Sequence, residues 1–293
     1  MSSNVIPVKA WVLLFILALI WGSSFILIKV GLTGLSAGQV GALRILSSSL
    51  FLLPVALSNI RKVNRPQIFL LLVVGFFGSL IPAFLFAAAQ TRIQSSVAGI
   101  LNALTPLFTL LLGVIFFSQR MSWRTFAGLM IGLGGTAYLF LAGSESGIHV
   151  NVYALLVVLA TICYGANLNL IKFRIQDLSS RVITSISLLF VGPISAVYLF
   201  FFTDFTERLT AAKLWPVGAI FLLGIVGTAL ALILFNQLVK ITTPVFTSSV
   251  TYIIPIVAGL WGIIDGEILR PFHFAGMALI ILGVYIANKR NSK

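Results

Sequence analysis

Long apolar stretches, separated by short polar segments, recur along the whole chain. Ten of them approach the roughly 20 residues that an α-helix needs to cross the hydrocarbon core of a bilayer. We predict membrane spans at 10–32, 36–58, 67–89, 95–117, 124–142, 151–172, 182–202, 214–238, 244–264 and 272–288. The segments between them are too short for a separate soluble domain. The pattern therefore predicts an all-α integral membrane protein with ten transmembrane helices.

The composition excludes the soluble alternatives. Hydrophobic residues make up 59% of the chain and charged residues only 9%, whereas a soluble domain carries about 25% charged residues. So few charges cannot cover a surface that faces water, which excludes an ordinary globular domain and a disordered chain. The single cysteine, Cys163, also excludes an internal disulfide framework.

The net charge of +13 comes from 19 Lys and Arg residues against six acids. A basic protein can bind nucleic acid, but such proteins carry their charges on a face exposed to water. In a membrane protein, Lys and Arg concentrate in the cytoplasmic loops instead. With the N-terminus inside, the outer loops hold only Arg92, Arg208, Lys213 and Arg270. We predict that both termini are cytoplasmic, in the inner or plasma membrane, with no nucleic-acid partner.

The two halves of the sequence share motifs in the same order, which indicates an internal repeat. Residues 21–29 in the first span read WGSSFILIK, and residues 164–172 in the sixth span read YGANLNLIK. The fifth and tenth spans share Phe-Ala-Gly at 126–128 and 274–276, each followed by a glycine seven residues on. In addition, a proline interrupts both the fourth and the ninth span.

The repeat divides the chain into halves, 1–145 and 146–293, with five spans each. Because five is odd, the second half must enter the membrane upside down relative to the first. Inverted repeats of this kind are the usual plan of secondary transporters, which bind substrate near the midplane where the halves meet. The alternative is a duplicated structural membrane protein that transports nothing.

The motifs resemble the EamA family of the drug/metabolite transporter superfamily. The resemblance rests on residues 21–25 (WGSSF), Arg44, Pro106 and the glycine-spaced fifth span, and it covers the whole chain. It implies a ten-helix inner-membrane carrier, commonly an exporter of amino acids or related metabolites. It also implies a central cavity bounded by spans one, three, four, six, eight and nine. The chain departs from the family at Gln119, where a Glu is common; Glu267 stands at the matching place in the second half.

Arg44 is the one charge deep within a predicted span, and a charge there is costly enough to suggest a function. Two interpretations remain open: it binds a substrate carboxylate or helps close the outer gate, or it donates hydrogen bonds to carbonyls of neighbouring helices. We expect Lys29 and Lys172, at span ends, to reach the membrane interface as anchors. Asp265 and Glu267 lie at the outer end of the ninth span, so no mid-membrane carboxylate is expected to relay protons.

Polar side chains flank the two prolines and occupy the paired first and sixth spans. A helix broken by proline exposes backbone groups where it lines a cavity. The alternative is that these polar groups hold helices together. The predicted substrate cavity comprises Trp21, Ser23, Ser24, Arg44, Asn102, Thr105, Pro106, Tyr164, Asn167, Asn169, Asn236, Gln237, Thr251, Tyr252 and Pro255.

No motif for catalysis or ATP hydrolysis is present in the sequence. The Gly-rich Lys-Ser/Thr loop, the His/Glu zinc motif and the Gly-x-Ser-x-Gly elbow are absent. We therefore predict a secondary transporter of small metabolites, surrounded by lipid, without a metal or cofactor. It is expected to work as a monomer, with a dimer left open. The alternatives are a channel-like or structural membrane protein and, less favoured, an intramembrane enzyme.

Overall fold

Helices form every regular element in the computed structural model of the chain, within the residues it describes. These residues are 7–118, 122–142, 152–175, 177–207, 214–242, 247 and 250–288. The all-α fold is thereby confirmed. The elements are α1 (Val8–Leu32), α2 (Ala37–Asn59), α3 (Arg65–Gly75), α4 (Ile81–Ala89), α5 (Ser95–Asn102), α6 (Thr105–Phe117), α7 (Trp123–Ala142), α8 (Val152–Arg174), α9 (Ser180–Phe201), α10 (Leu214–Leu222), α11 (Ala231–Ile241), α12 (Val250–Ile264) and α13 (Pro271–Asn288).

Three of the predicted spans are not regular α-helices. A π-helical segment, Phe76–Leu80, joins α3 to α4, and a second one, Leu223–Leu230, joins α10 to α11. The fourth span is broken between α5 and α6 at residues 103–104. π-helical turns occur frequently at functional sites, because the wider turn disturbs the regular i→i−4 hydrogen bonds.

Seven helical stretches in the described part of the chain are long and apolar enough to cross a membrane. They are Val8–Leu32, Ala37–Lys62, Arg65–Ala89, Ser95–Phe117, Val152–Arg174, Ser180–Phe201 and Leu214–Leu238. Shorter apolar helices cover Phe126–Tyr138, Ile253–Ile264 and Pro271–Gly283. Each of the ten predicted spans thus overlaps a helix, but a full set of ten crossings remains a prediction.

The outer surface of the bundle carries large apolar side chains. Phe69, Phe116 and Phe201 are each mostly exposed. Exposed apolar area in contact with water costs free energy, whereas the same area is at no disadvantage against lipid tails. Together with the seven long apolar helices, this surface identifies a multi-pass membrane protein.

Capping residues fix the starts of two helices and connect them to other parts of the chain. Ser36 and Gln39 form a capping box at the start of α2, and Asn64 and Gln67 form another at the start of α3. Each box satisfies backbone N–H groups that have no partner within the helix. The Gln39 amide also donates to Asp204 at 2.8 Å, which ties α2 to the segment that follows α9.

The helices α7 and α13 pack closely against each other through glycines. A Cβ atom on Gly135 would lie 2.7 Å from the Cβ of Leu279 and 3.0 Å from the backbone nitrogen of Ile280. Gly283 faces the backbone of Gly132 in the same way. Small residues permit this approach of two helix backbones. None of the described side chains of these two helices lines the central cavity.

The bundle has two ends, which we call upper and lower. The upper end contains the end of α1, the end of α12 and the start of α5. These three meet there, since Lys29 of α1 and Ser95 of α5 both contact Glu267, which follows α12. At the lower end α2 and α8 terminate and α9 begins. The positive-inside rule predicts that the lower end is cytoplasmic.

Candidate functional site

A cavity of about 520 Å³ lies in the centre of the bundle. Its wall is mostly apolar, with a limited number of polar groups, as is usual for small-molecule sites. The cavity extends to Lys172, Ile175 and Leu178 at the lower end. Its wall includes none of the described loop residues at the upper end. In addition to the spans that the resemblance implied, Arg44 of α2 and Thr184 of α9 also line it.

Eleven of the fifteen predicted residues line this cavity, and their role in binding remains a prediction. The other four do not contribute to its described wall. Ser23 instead accepts a hydrogen bond from Trp261 Nε1 at 2.8 Å, while Gln237 and Pro255 are not part of the described cavity wall. The side chain of Tyr252, like the residue Gln119, lies outside the part that the structure describes. The eleven are Trp21, Ser24, Arg44, Asn102, Thr105, Pro106, Tyr164, Asn167, Asn169, Asn236 and Thr251.

Arg44 places a buried positive charge in the cavity wall. Its side chain is only 9% exposed, and its Nε donates to the Thr228 hydroxyl at 2.9 Å. It also interacts with the Tyr164 hydroxyl. Among the described residues, no carboxylate pairs with it. A buried charge without an oppositely charged partner is costly, and the contacts of Arg44 described here are to the neutral hydroxyl groups of Thr228 and Tyr164.

The two π-helical segments supply partners for the cavity that the sequence analysis missed. The Gly227 carbonyl accepts a hydrogen bond from Trp21 Nε1 at 3.1 Å, and Thr228 binds Arg44. A signal for both segments exists in the sequence: residues 75–79 read GFFGS and residues 224–228 read GIVGT. The shared spacing Gly-x-x-Gly-Ser/Thr is a further part of the repeat.

The glycines of these two segments make equivalent contacts across the cavity. A Cβ atom on Gly78 would lie 2.6 Å from Nδ2 of Asn167, and one on Gly227 would lie 3.2 Å from Oγ of Ser24. Asn167 and Ser24 occupy corresponding positions of the two repeat motifs. Each π-helical segment therefore packs against the repeat helix of the other half.

Gly224 of the second segment and Gly75, the residue directly before the first segment, make a second pair of equivalent contacts. A Cβ atom on Gly224 would lie 2.6 Å from the Arg44 carbonyl oxygen. One on Gly75 would lie 2.5 Å from the carbonyl oxygen of Ser187. Ser187 of α9 thus contacts Gly75 as Arg44 of α2 contacts Gly224, and both residues line the cavity. Of these two residues, Arg44 carries a charge and Ser187 does not.

Aromatic side chains form the third pair. Trp21 and Phe235 have ring centroids 5.0 Å apart, and Tyr164 and Phe86 have theirs 6.1 Å apart. Trp21 corresponds to Tyr164 in the repeat, and Phe235 follows the second π-helical segment as Phe86 follows the first. The rings supply apolar contact area beside the polar groups of the wall.

The break before Pro106 leaves one backbone carbonyl without its helical partner, and a hydroxyl group of the same segment satisfies it. Proline has no N–H with which to bond the carbonyl four residues earlier, which belongs to Asn102. The Thr105 hydroxyl donates to that carbonyl at 2.9 Å. Asn102 and Thr105 both line the cavity.

Three asparagines in the wall have different hydrogen-bond states. Asn169 Nδ2 donates to the carbonyls of Thr109 and Gly165, at 2.8 and 2.9 Å. Asn236 donates to Thr184 at 3.2 Å. Asn167, which is 8% exposed, has a buried Oδ1 with no hydrogen-bond partner. The hydrogen bonds of Asn169 and Asn236 fix helix positions, whereas the buried Asn167 oxygen is left without a partner among the described residues.

At the upper end, Lys29, Ser95, Ser96, Asp265 and Glu267 form a polar group that we call the Lys29 cluster. Lys29 Nζ lies 2.9 Å from Glu267 Oε1 and also pairs with Asp265. The N–H and hydroxyl of Ser95 donate to Glu267 Oε1 at 2.9 and 2.8 Å. Those of Ser96 donate to Oε2 at 3.1 and 2.6 Å. Lys29 is thus held by acids 236 and 238 positions away along the chain rather than acting only as an interfacial anchor.

The cluster keeps Glu267 ionised. Burial alone would raise the pKa of this carboxyl group, but the hydrogen bonds from Ser96, Lys29 and Ser95 outweigh burial and lower the pKa to about 2. The positive end of α5 also favours a negative charge at its first residues. Glu267 therefore carries no exchangeable proton near neutral pH.

The low pKa of Glu267 predicts how stability responds to acid. Because its folded-state pKa lies below the usual 4.5, its contribution to stability is complete at neutral pH. That contribution is lost as the pH falls through about 4.5 toward about 2. Thermal unfolding of the protein in detergent from pH 7 to pH 3 measures this. The native chain should melt at a higher temperature than Glu267→Gln at pH 7, and this difference should become smaller as the pH is lowered to 3. A difference that stays constant with pH would contradict the stabilising role of the ionised Glu267.

Comparison with known proteins places the chain in a family. The EamA-like transporter family matches residues 8–141 and 151–289. A probable amino-acid metabolite efflux pump of Salmonella typhimurium is 26% identical, over 94% of this chain and 93% of that protein. An uncharacterized inner membrane transporter of Escherichia coli K12 is 26% identical, over 93% and 88%. A solved structure described as "Crystal structure of protein" shares the fold, with TM-score 0.65, 17% identity and coverage of 95% and 96%. The chain belongs to the EamA-like transporter family.

Proposed function

We propose that the chain is a secondary transporter that exports small carboxylate-bearing metabolites, such as amino acids, by alternating access. The observation that carries this proposal is Arg44, a buried charge without a carboxylate partner among the described residues, in the wall of a central cavity. A carboxylate bound there offsets the cost of the buried charge. The aromatic and apolar wall accommodates the rest of an amphipathic substrate.

The paired contacts across the cavity support two inverted five-helix halves, 1–145 and 146–293. Gly78 with Asn167 corresponds to Gly227 with Ser24. Tyr164 with Phe86 corresponds to Trp21 with Phe235. Contacts that repeat in this way follow from two copies of one unit packed about a pseudo-two-fold axis. That arrangement allows one half to rock against the other around a fixed central site.

The position of the opening supports a cavity that faces the cytoplasm. The cavity reaches the lower end of the bundle, which the distribution of Lys and Arg predicts to be cytoplasmic. At the upper end it is closed by packed side chains. A substrate from the cytoplasm thus reaches Arg44 directly. The name of the Salmonella typhimurium relative, a probable efflux pump, is consistent with export.

Counterflow in proteoliposomes tests this proposal. Vesicles that contain the purified chain and are loaded with an unlabelled amino acid should accumulate the labelled one transiently, because an exchanger moves one substrate in as it moves another out. Vesicles that contain the purified chain but no internal amino acid serve as the control. A panel of amino acids and other carboxylates identifies the substrate. If labelled substrate enters equally fast with and without unlabelled substrate inside the vesicles, the protein is a channel. If no compound enters, a structural protein is favoured.

A further inference from the structure

The Lys29 cluster joins the two predicted halves of the chain. Lys29, Ser95 and Ser96 belong to the first half, and Asp265 and Glu267 belong to the second half. Every ion pair and every hydrogen bond of the Glu267 carboxylate described above therefore crosses between the halves. If the halves separate at the upper end, these contacts must break together.

An apolar layer lies directly beneath the cluster and closes the cavity. Ile28 and Phe25 are almost fully buried on α1. Gly99 of α5 packs directly against Ala258 of α12, so that a side chain at position 99 would overlap it. The cluster and this layer therefore close the same end of the cavity, opposite to its opening.

Two glycines allow the Glu267 carboxylate to reach the start of α5. A Cβ atom on Gly262 would lie 2.6 Å from Glu267 Oε2 and 2.9 Å from the Cβ of Ser96. Gly266 has φ = +79°, a left-handed conformation that glycine adopts at little cost. The Glu267 N–H then donates to the Gly262 carbonyl at 2.8 Å. The turn after α12 thus holds the carboxylate in a single position.

We propose that the Lys29 cluster is the outer gate of the transporter, with Glu267 as the residue that holds it closed. This inference rests on the alternating-access function proposed above. Charge-assisted hydrogen bonds are stronger than neutral ones, and Glu267 accepts five while only 9% exposed. The outward-open state must separate Glu267 from Ser95, Ser96 and Lys29. Its population is therefore set by the strength of this cluster.

The two acids of the cluster contribute unequally to closure. The Glu267 side chain is buried and binds both the α5 backbone and Lys29, whereas the Asp265 side chain is 39% exposed and pairs with Lys29. Exposed ion pairs are weak because water and salt screen them. Removing the charge of Glu267 should open the gate far more than removing the charge of Asp265.

Accessibility from outside tests the gate. A cysteine at Ile28, in a Cys163→Ser background, reports whether a membrane-impermeant maleimide added outside intact cells can reach the layer beneath the cluster. We expect Glu267→Gln to raise the labelling rate about tenfold and Asp265→Asn about twofold, in line with the energies of buried and exposed charged contacts. Arg124→Gln is the control, because it removes an exposed charge on α7, outside the cluster and the cavity wall, and should leave the rate unchanged.

A second variant keeps the test decisive if Glu267→Gln does not fold. Lys29→Met removes the ion pairs but leaves the contacts of Glu267 with Ser95 and Ser96, and it should raise the labelling rate severalfold. Unchanged labelling in whichever of the two variants folds would overturn the gate. Counterflow by the native chain is measured separately. If the native chain shows counterflow but labelling is unchanged in the variants, only the gate is refuted. If the native chain shows no counterflow, the proposed transport function is refuted.

Discussion

Replacing Arg44 with alanine is expected to raise the substrate concentration that gives half-maximal counterflow about tenfold or more. A hydrogen bond to a charged group contributes about 1.5–3 kcal/mol, and about 1.4 kcal/mol corresponds to a tenfold change in affinity. Arg44 is a buried charge in the described cavity wall and has no carboxylate partner among the described residues. Its loss should therefore weaken binding of the carboxylate specifically.

Two further variants separate binding from structure. Arg44→Lys keeps the charge but loses the planar guanidinium, so we expect it to restore part of the affinity. Arg92→Ala removes an arginine that lies over the Tyr153 ring, away from the cavity, and should leave the half-maximal concentration unchanged. Counterflow and the amount of folded protein are measured for each. Full transport by Arg44→Ala would show that Arg44 supports the packing of the helices instead.

Replacing Gly135 with leucine is expected to destabilise the protein by about 3 kcal/mol or to prevent its folding, since overpacked sites cost about 1–3 kcal/mol and occasionally more. A Cβ atom at this position would lie within 3.1 Å of the Gly276 carbonyl oxygen and within 3.0 Å of the Ile280 backbone nitrogen. Backbone atoms of α13 cannot move aside as the end of a flexible side chain can. The helices α7 and α13 would have to separate.

The adjacent glycine provides the control for this prediction. A Cβ atom on Gly134 would meet nothing within 4 Å, so Gly134→Leu changes the same helix at a position that has room. Leucine is also a better helix former than glycine, and Gly134→Leu should melt at the native temperature or slightly above it. The melting temperatures of Gly134→Leu and Gly135→Leu, measured in detergent, are compared with that of the native chain. Equal losses for both variants would mean that the tight packing of α7 against α13 is not what limits stability.

Much of the fold could be predicted from hydrophobic pattern alone. Each of the ten apolar stretches overlaps a helix, because apolar length is what determines whether a segment can lie in a bilayer. The two π-helical segments could not be predicted in this way, since their extra residue per turn leaves the apolar pattern intact. The Gly-x-x-Gly-Ser/Thr spacing at 75–79 and 224–228 marks both, but only the contacts of these glycines explain it.

The site could be predicted in part. Polar residues on the paired first and sixth spans, among them Ser24 and Asn167, do line the cavity. Ser23 could not be separated from Ser24 by composition, because which of two neighbours faces the cavity depends on the rotation of α1. Thr228 is marked only by the Gly-x-x-Gly-Ser/Thr spacing at 224–228, whereas nothing local distinguishes Ser187 from other small polar residues in apolar helices.

The sequence by itself determined the protein's class, its membrane setting and the scarcity of charges that makes Arg44 stand out. These properties follow from composition and short-range periodicity, which act on each segment separately. Only the tertiary structure decided which charges meet. It placed Thr228 against Arg44 and brought Glu267 to Lys29, 238 positions earlier in the chain. Such contacts depend on how distant helices pack, so a sequence that places Lys29 at a span end cannot reveal that it pairs with Asp265 and Glu267.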